Sequence, residues 1–156
     1  MTKDEKLEQE AYDHGVDIIE KYKFDSPRLR GLYSDNMIAL SRSIHSRREK
    51  ACVLAEELGH YHTTVGDIIS QQDTRNRKQE LRARLWAYDK QIGLLGIIDA
   101  YKYGCRNTFD MSEYLDVTED FLKDALRCYR SKYGEHTVVD NYIIYFEPNL
   151  GVMEMM

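Results

Sequence analysis

The amino-acid sequence predicts an α+β fold, mainly helical, with a small sheet packed beside a central helix. Three observations carry this expectation. Charged stretches around residues 5–22, 46–62 and 74–92 place apolar residues at helical spacing, whereas residues 31–40 and 137–147 favour strand and turn types. No internal repeat or low-complexity tract divides the 156 residues, a length that corresponds to one domain, 1–156, with a sizeable core.

Residues 5–22 are expected to form an amphipathic helix, with Leu7, Ala11, Val16, Ile18 and Ile19 turned to the core. Gly31 to Leu40 reads as two short strands around an Asp35-Asn36 turn. Ser46-Arg47-Arg48-Glu49 has the form of a capping box, so the next helix begins there. Ala51, Leu54, Ala55 and Leu58 then follow at i, i+3, i+4 and i+7 and give that helix a buried stripe. Gly59 costs such a helix about 1 kcal/mol against Ala, which is tolerable where another backbone or a bound molecule comes close. A further helix is expected from about Thr74 to Ile92, with Glu80, Ala83 and Ala87 on one face and Leu81, Leu85 and Trp86 supplying apolar surface. The small residues Ala83 and Ala87 would let it approach its predecessor closely.

Residues 97–133 suggest a helical pair resembling a helix-turn-helix, its second helix beginning at Thr118. Recognition of DNA would set the start of that helix in the major groove. The start carries Glu119, Asp120 and Asp124 against Lys123, which argues for phosphate repulsion and against direct DNA binding. Thr137 to Glu147 is β-branched and aromatic, closed by Pro148, and predicts one strand, or two about Asp140-Asn141.

A net charge of −5 and a pI near 5.6 give no general attraction for nucleic acid or anionic membranes. No apolar run approaches the roughly 18 residues of a membrane span, and Met1 to Lys6 lack the apolar core of a signal peptide. Cys52, Cys105 and Cys128 are odd in number and widely spaced, and read as reduced thiols. A cytoplasmic location is the expectation. Arg75, Arg77, Lys78, Arg82 and Arg84 form a basic cluster, either a solvated helix face or a surface for an acidic partner.

The densest chemical signal is Ala55-Glu56-Glu57-Leu58-Gly59-His60-Tyr61-His62. It has the layout of the zinc-peptidase helix H-E-x-x-H, with Glu56 where the first histidine stands. In that layout two residues four apart hold the metal and the glutamate beside the first acts as general base. Glu56 and His60 are therefore candidate ligands and Glu57 the candidate base. At about 100° per residue, positions 56, 57 and 60 share one helical flank. An acidic solvated face would produce the same letters. Zinc accepts carboxylate oxygen as well as imidazole nitrogen, and a second carboxylate ligand would make it less electrophilic and could shift selectivity toward manganese or another divalent metal. Glu80 is the best third ligand if the two helices approach; an intrahelical pairing with Arg84 at i+4 is the alternative. His62, two residues past His60, points elsewhere and reads as a surface or packing residue. His14, His45 and His136 stand alone.

Leu54 to His60, Thr63-Thr64-Val65-Gly66-Asp67-Ile68, the helix Lys78 to Ala87 and the tail Val139 to Pro148 together resemble an ImmA/IrrE-type metallopeptidase, more narrowly the short type of prophages and mobile elements. The resemblance covers roughly residues 28 to 150. It implies a zincin-like active helix flanked by the small sheet, a divalent metal, and cleavage of a helix-turn-helix repressor as partner and substrate. Many members carry histidine where Glu56 stands. Many also carry a glutamate where Arg82 stands in this chain; Glu80 lies two residues earlier. A catalytically degenerate protein that inactivates the repressor by binding it is the competing expectation. A strand beside such a helix can pair with extended substrate, or can be a plain structural hairpin.

Overall fold

In the computed structural model, which describes residues 1–64 and 77–156, the chain opens with a capped helix. Thr2 and Glu5 exchange hydrogen bonds between side chains and backbone N–H groups, a reciprocal capping box that satisfies donors otherwise orphaned at a helix start. Helix α1 (Lys3–Asp13) buries Leu7 and Ala11, four residues apart on one face.

It ends well short of the expected residue 22. Gly15 adopts a positive φ of 72°, and the chain continues as strand β1 (Asp17–Tyr22). Isoleucines at 18 and 19 lose χ1 freedom in a helix and fit a pleated strand, and β3 offers them a parallel partner. Val16 is buried as expected, but Ile19 is 40% exposed, because successive strand residues face opposite sides of the sheet.

Strands β2 (Gly31–Ser34) and β3 (Met37–Ser41) form the expected hairpin, pairing Gly31 with Leu40 and Ser34 with Met37. Asp35 and Asn36 occupy the turn with φ of 49° and 60°, the left-handed pair that a two-residue connection demands. The sheet order is β1-β3-β2, so β2 is an edge strand. The Ser41 N–H donates to the Arg30 carbonyl at 2.8 Å, which sets the alternation. Leu32 and Ser34 turn their backbone groups toward β3, and Gly31 and Tyr33 turn theirs outward.

Helix α2 (Arg47–Thr64) starts where the capping signal predicts, with Ser46 Oγ accepting from the Glu49 N–H at 3.0 Å. The Glu49 carboxylate pairs with Arg30 at 3.1 Å. The stripe Ala51, Leu54, Ala55 and Leu58 is 1% exposed or less at every position. Helix α3 (Arg77–Gln91) packs against it, with Ala83 and Ala87 buried. Leu81 is 53% exposed and supplies no core surface. Thr74, Arg75 and the run Val65 to Ile68 lie outside the described residues. These elements form one compact unit, Met1–Gln91; Ile92–Met156 form a second.

In the second unit, α4 (Gly93–Tyr103) ends at Gly104, and α5 (Thr108–Leu115) begins under an Asn107 side chain that accepts from the Asp110 N–H at 2.8 Å. Thr118 caps α6 (Glu119–Tyr133) by accepting from the Phe121 N–H at 3.1 Å. Helices α5 and α6 are the helical pair expected within 97–133, and α6 starts at the expected cap. Their core is Met111, Leu115, Val117, Phe121, Leu122, Ala125 and Tyr129. The C-terminal β segment is two strands, β4 (His136–Val139) and β5 (Tyr142–Tyr145), reversing at Asp140 with φ of 51°. A third, β6 (Gly151–Glu154), pairs with β5 beyond Pro148, where the sequence signal stops. Val152 is the one strong strand former among Gly151, Val152, Met153 and Glu154, and pairing with β5 supplies the rest of the order. The α+β class therefore holds, with two small three-stranded sheets where one was expected.

Candidate active site

The site lies on α2 and is shaped by what packs on either side of it. Toward α3, Gly59 faces Ala83 so closely that a β-carbon at 59 would stand 2.2 Å from the Ala83 carbonyl oxygen. Glycine is there because the two backbones touch, the reason its helix cost is tolerated. This contact carries Glu80, one turn before Ala83, to His60, one residue after Gly59. His60 Nε2 lies 3.4 Å from Glu80 Oε1, and Glu80 Oε2 lies 3.9 Å from Arg84 Nε. Glu80 thus faces His60 across the helix interface and makes the i+4 pairing with Arg84 as well.

Toward the sheet, α2 runs beneath β2. Val53, Glu57 and Tyr61, at i, i+4 and i+8, form the contacting row. A methyl group at Gly31 would sit 2.7 Å from Val53 Cγ1 and 3.1 Å from both Cγ and Oε2 of Glu57. The Tyr33 backbone N–H, on the outward edge of β2, donates to the Glu57 carboxylate. The Tyr33 ring meets Tyr61 edge-on at 5.9 Å.

These surroundings set the proton affinities. Burial pushes the Glu57 carboxyl up to about 8, and the negative charges of Glu56 and Glu80 add to it, against the pull of the Tyr33 N–H. Burial lowers His60, and the Arg84 charge acts in the same direction, outweighing Glu80. A neutral imidazole is the form that binds a metal, and a carboxyl titrating near neutrality is suited to moving a proton.

Two adjacent ligands on a tetrahedral zinc, each about 2.1 Å from the ion, lie about 3.4 Å apart, which is the separation of His60 Nε2 from Glu80 Oε1. The pair therefore fits a cation, and the surplus negative charge felt by Glu57 from Glu56 and Glu80 favours one. Among the described residues no group of three potential ligands is drawn together, so Glu56 does not close the set as it stands.

His62 is a packing residue, as its spacing suggested. Its ring stacks on Trp86 at 4.6 Å and its Nε2 lies 3.1 Å from Glu10 Oε2, while Lys90 Nζ reaches Glu10 Oε1 at 2.7 Å. Despite the cost of burial, hydrogen bonds from Lys90 and His62 hold the Glu10 carboxyl below its ordinary value. His14, alone in sequence, packs its ring against Tyr61 and His62. Arg77, Lys78, Arg82 and Arg84 are exposed, the solvated face of α3. The contribution of Gly31 and Tyr33 escaped the sequence reading. An edge strand beside the helix was legible, but that its backbone would grip Glu57 depends on a contact 26 positions away in the chain for Gly31.

Neither the curated proteins nor the solved structures compared with this chain gave a match. A family profile does match, spanning residues 11–127, from the end of α1 into α6, and it takes in Gly31, Tyr33, Glu56, Glu57, His60 and Glu80. The chain belongs to the peptidase M78 family, described as the IrrE N-terminal-like domain, a family of metallopeptidase type.

Proposed function

We propose that the protein is a metal-dependent endopeptidase that cleaves a helix-turn-helix transcriptional repressor of a prophage or mobile element in the cytoplasm. The observation that carries the reading is the His60–Glu80 pair at ligand spacing, beside a carboxyl with an elevated proton affinity. His60 and Glu80 would hold the cation, with Glu56 swinging in from the same helical flank. A bound zinc or manganese ion supplies Lewis acidity and acidifies water to a pKa of about 7. Glu57 takes the proton of the attacking water and delivers it to the leaving amine, returning to its starting state. Apart from the Tyr33 N–H held by Glu57, strand β2 offers its outward backbone groups to an extended substrate segment. Among the described residues no helix is long and apolar enough to cross a membrane.

A binding-only anti-repressor is the second reading, favoured by the missing third ligand among the described residues. The test is incubation of purified protein with zinc or manganese and the repressor encoded beside it, together with metal analysis. Cleavage that falls about 100-fold or more in Glu57→Gln, with the fold intact, is the expected result. Undiminished cleavage by that variant removes Glu57 as base. A tight complex with an uncut repressor and no bound metal establishes the second reading instead.

A further inference from the structure

The outward edge of β2 does something for α2 that a structural hairpin need not do. At Gly31 the strand lies so tightly on α2 that a β-carbon has no room. Any side chain there would strike Val53 Cγ1 at 2.7 Å and the Glu57 carboxylate stem at 3.1 Å, so hydrogen alone lets the strand lie on the helix. Two residues on, the Tyr33 N–H is free of the β-ladder because of the strand's register, and its acceptor is the Glu57 carboxylate. The Tyr33 ring then rests on Tyr61, one turn beyond Glu57. One strand therefore holds the carboxylate by contact on its stem and by a hydrogen bond at its tip.

We infer that Gly31 and the Tyr33 backbone amide are the positioning residues of Glu57, fixing which way its carboxylate points along the open edge of β2. This rests on Glu57 being the base of the proposed peptidase. A proton-transfer group must lie within hydrogen-bond reach of its partner, and a glutamate has three side-chain torsions by which to miss it. Neither Gly31 nor Tyr33 need touch the substrate to matter. A loss at either would lower turnover without weakening substrate binding.

Two measurements test this. The first needs neither metal nor substrate. In wild-type protein the Tyr33 amide proton exchanges slowly with solvent, and in Glu57→Ala it exchanges about tenfold faster or more, while the Leu32 amide, paired to β3, keeps its rate. Unchanged Tyr33 exchange in Glu57→Ala overturns the inference, whatever the protein cleaves. The second is kinetic. Gly31→Ala lowers kcat by roughly 100-fold with KM within about twofold. Because the hardest clash is with Val53, the double variant Gly31→Ala, Val53→Ala regains wild-type thermal stability yet keeps the low kcat. Full recovery of kcat in the double variant also overturns the inference, since it makes Gly31 a packing residue alone. If the repressor is never cut, the proposed function fails and amide exchange still decides the positioning.

Discussion

Two helix pairs in this chain carry a functional signature in their letters, α2–α3 and α5–α6, and they handle charge in opposite ways. On α6 the acidic start is neutralised locally. Glu119 accepts from Thr108 Oγ1 at 2.8 Å and lies 3.6 Å from Lys123, Asp124 pairs with Arg127, and Arg130 pairs with Glu147 at 3.4 Å. On α2 and α3, Glu80 lies 3.4 Å from His60 and 3.9 Å from Arg84, and its charge and that of Glu56 act on the buried Glu57 carboxyl. Local pairing yields an ordinary exposed surface. Burial first, and the like charges of Glu56 and Glu80 second, raise the Glu57 carboxyl to about 8. The acidic residues of α6 are met by nearby partners on the surface, whereas Glu57 on α2 is buried with its proton affinity raised, the kind of perturbation that catalytic groups share.

The sharpest way to break this contrast is Gly59→Ala. The added methyl meets the Ala83 carbonyl oxygen, which belongs to rigid helix backbone, so α3 must move away. Urea denaturation is expected to report a loss of about 3 kcal/mol, with the His60–Glu80 pair pulled apart. A neutral result would show that the helices separate easily and that the charge cluster is not enforced.

Next in size is a pH effect confined to the α2–α3 pair. The Glu57 carboxyl has a higher proton affinity folded than unfolded, so the folded state binds the extra proton between the ordinary carboxylate value of 4.5 and about 8. Stability of the metal-free protein is therefore highest below that window and declines as pH rises through it. Wild-type Tm should fall by an amount on the order of 5 °C between pH 5 and pH 9, and Glu57→Gln should flatten the decline. An equal slope in the variant would assign the titration elsewhere.

The smallest effects are expected on the other pair. Thr118→Ala removes the α6 cap and should cost about 1 kcal/mol, and Lys123→Ala no more than about 0.5 kcal/mol, both read from the same denaturation curves. A larger Lys123 effect would mean that the charges of α6 are engaged in something other than local pairing.

Much of this was legible in the sequence, and the misses share a cause. Short-range signals translated directly: Ser46 and Thr118 cap their helices, Asp35-Asn36 turns the hairpin, and the Ala51 to Leu58 stripe is buried. The Gly59–Ala83 contact is legible because small residues stand at helical spacing on both helices. Strand β1 was mistaken for helix because Ile18 and Ile19 suit a helical stripe on paper, and only β3, some twenty residues on, makes them a strand. Strand β6 has only Val152 as a strand former and is completed by pairing with β5. Beside α2, the nearness of Glu80 to His60 followed from its helix face, whereas the contacts of Gly31 and Tyr33 with Glu57 are reached across the fold and through backbone atoms that no residue name reveals.

The tip of the β2–β3 hairpin carries a further consequence. Asp35 and Asn36 are exposed and polar, the sort of place where insertions are usually harmless. Here the length of that tip sets the phase of the strand. One extra residue would shift the pairing by a step and turn Leu32 where Gly31 now lies, presenting a bulky side chain to Glu57. An apparently idle loop thus acts as the ruler for the surroundings of Glu57, and length variation there should disturb the proposed base as much as a change on α2 itself.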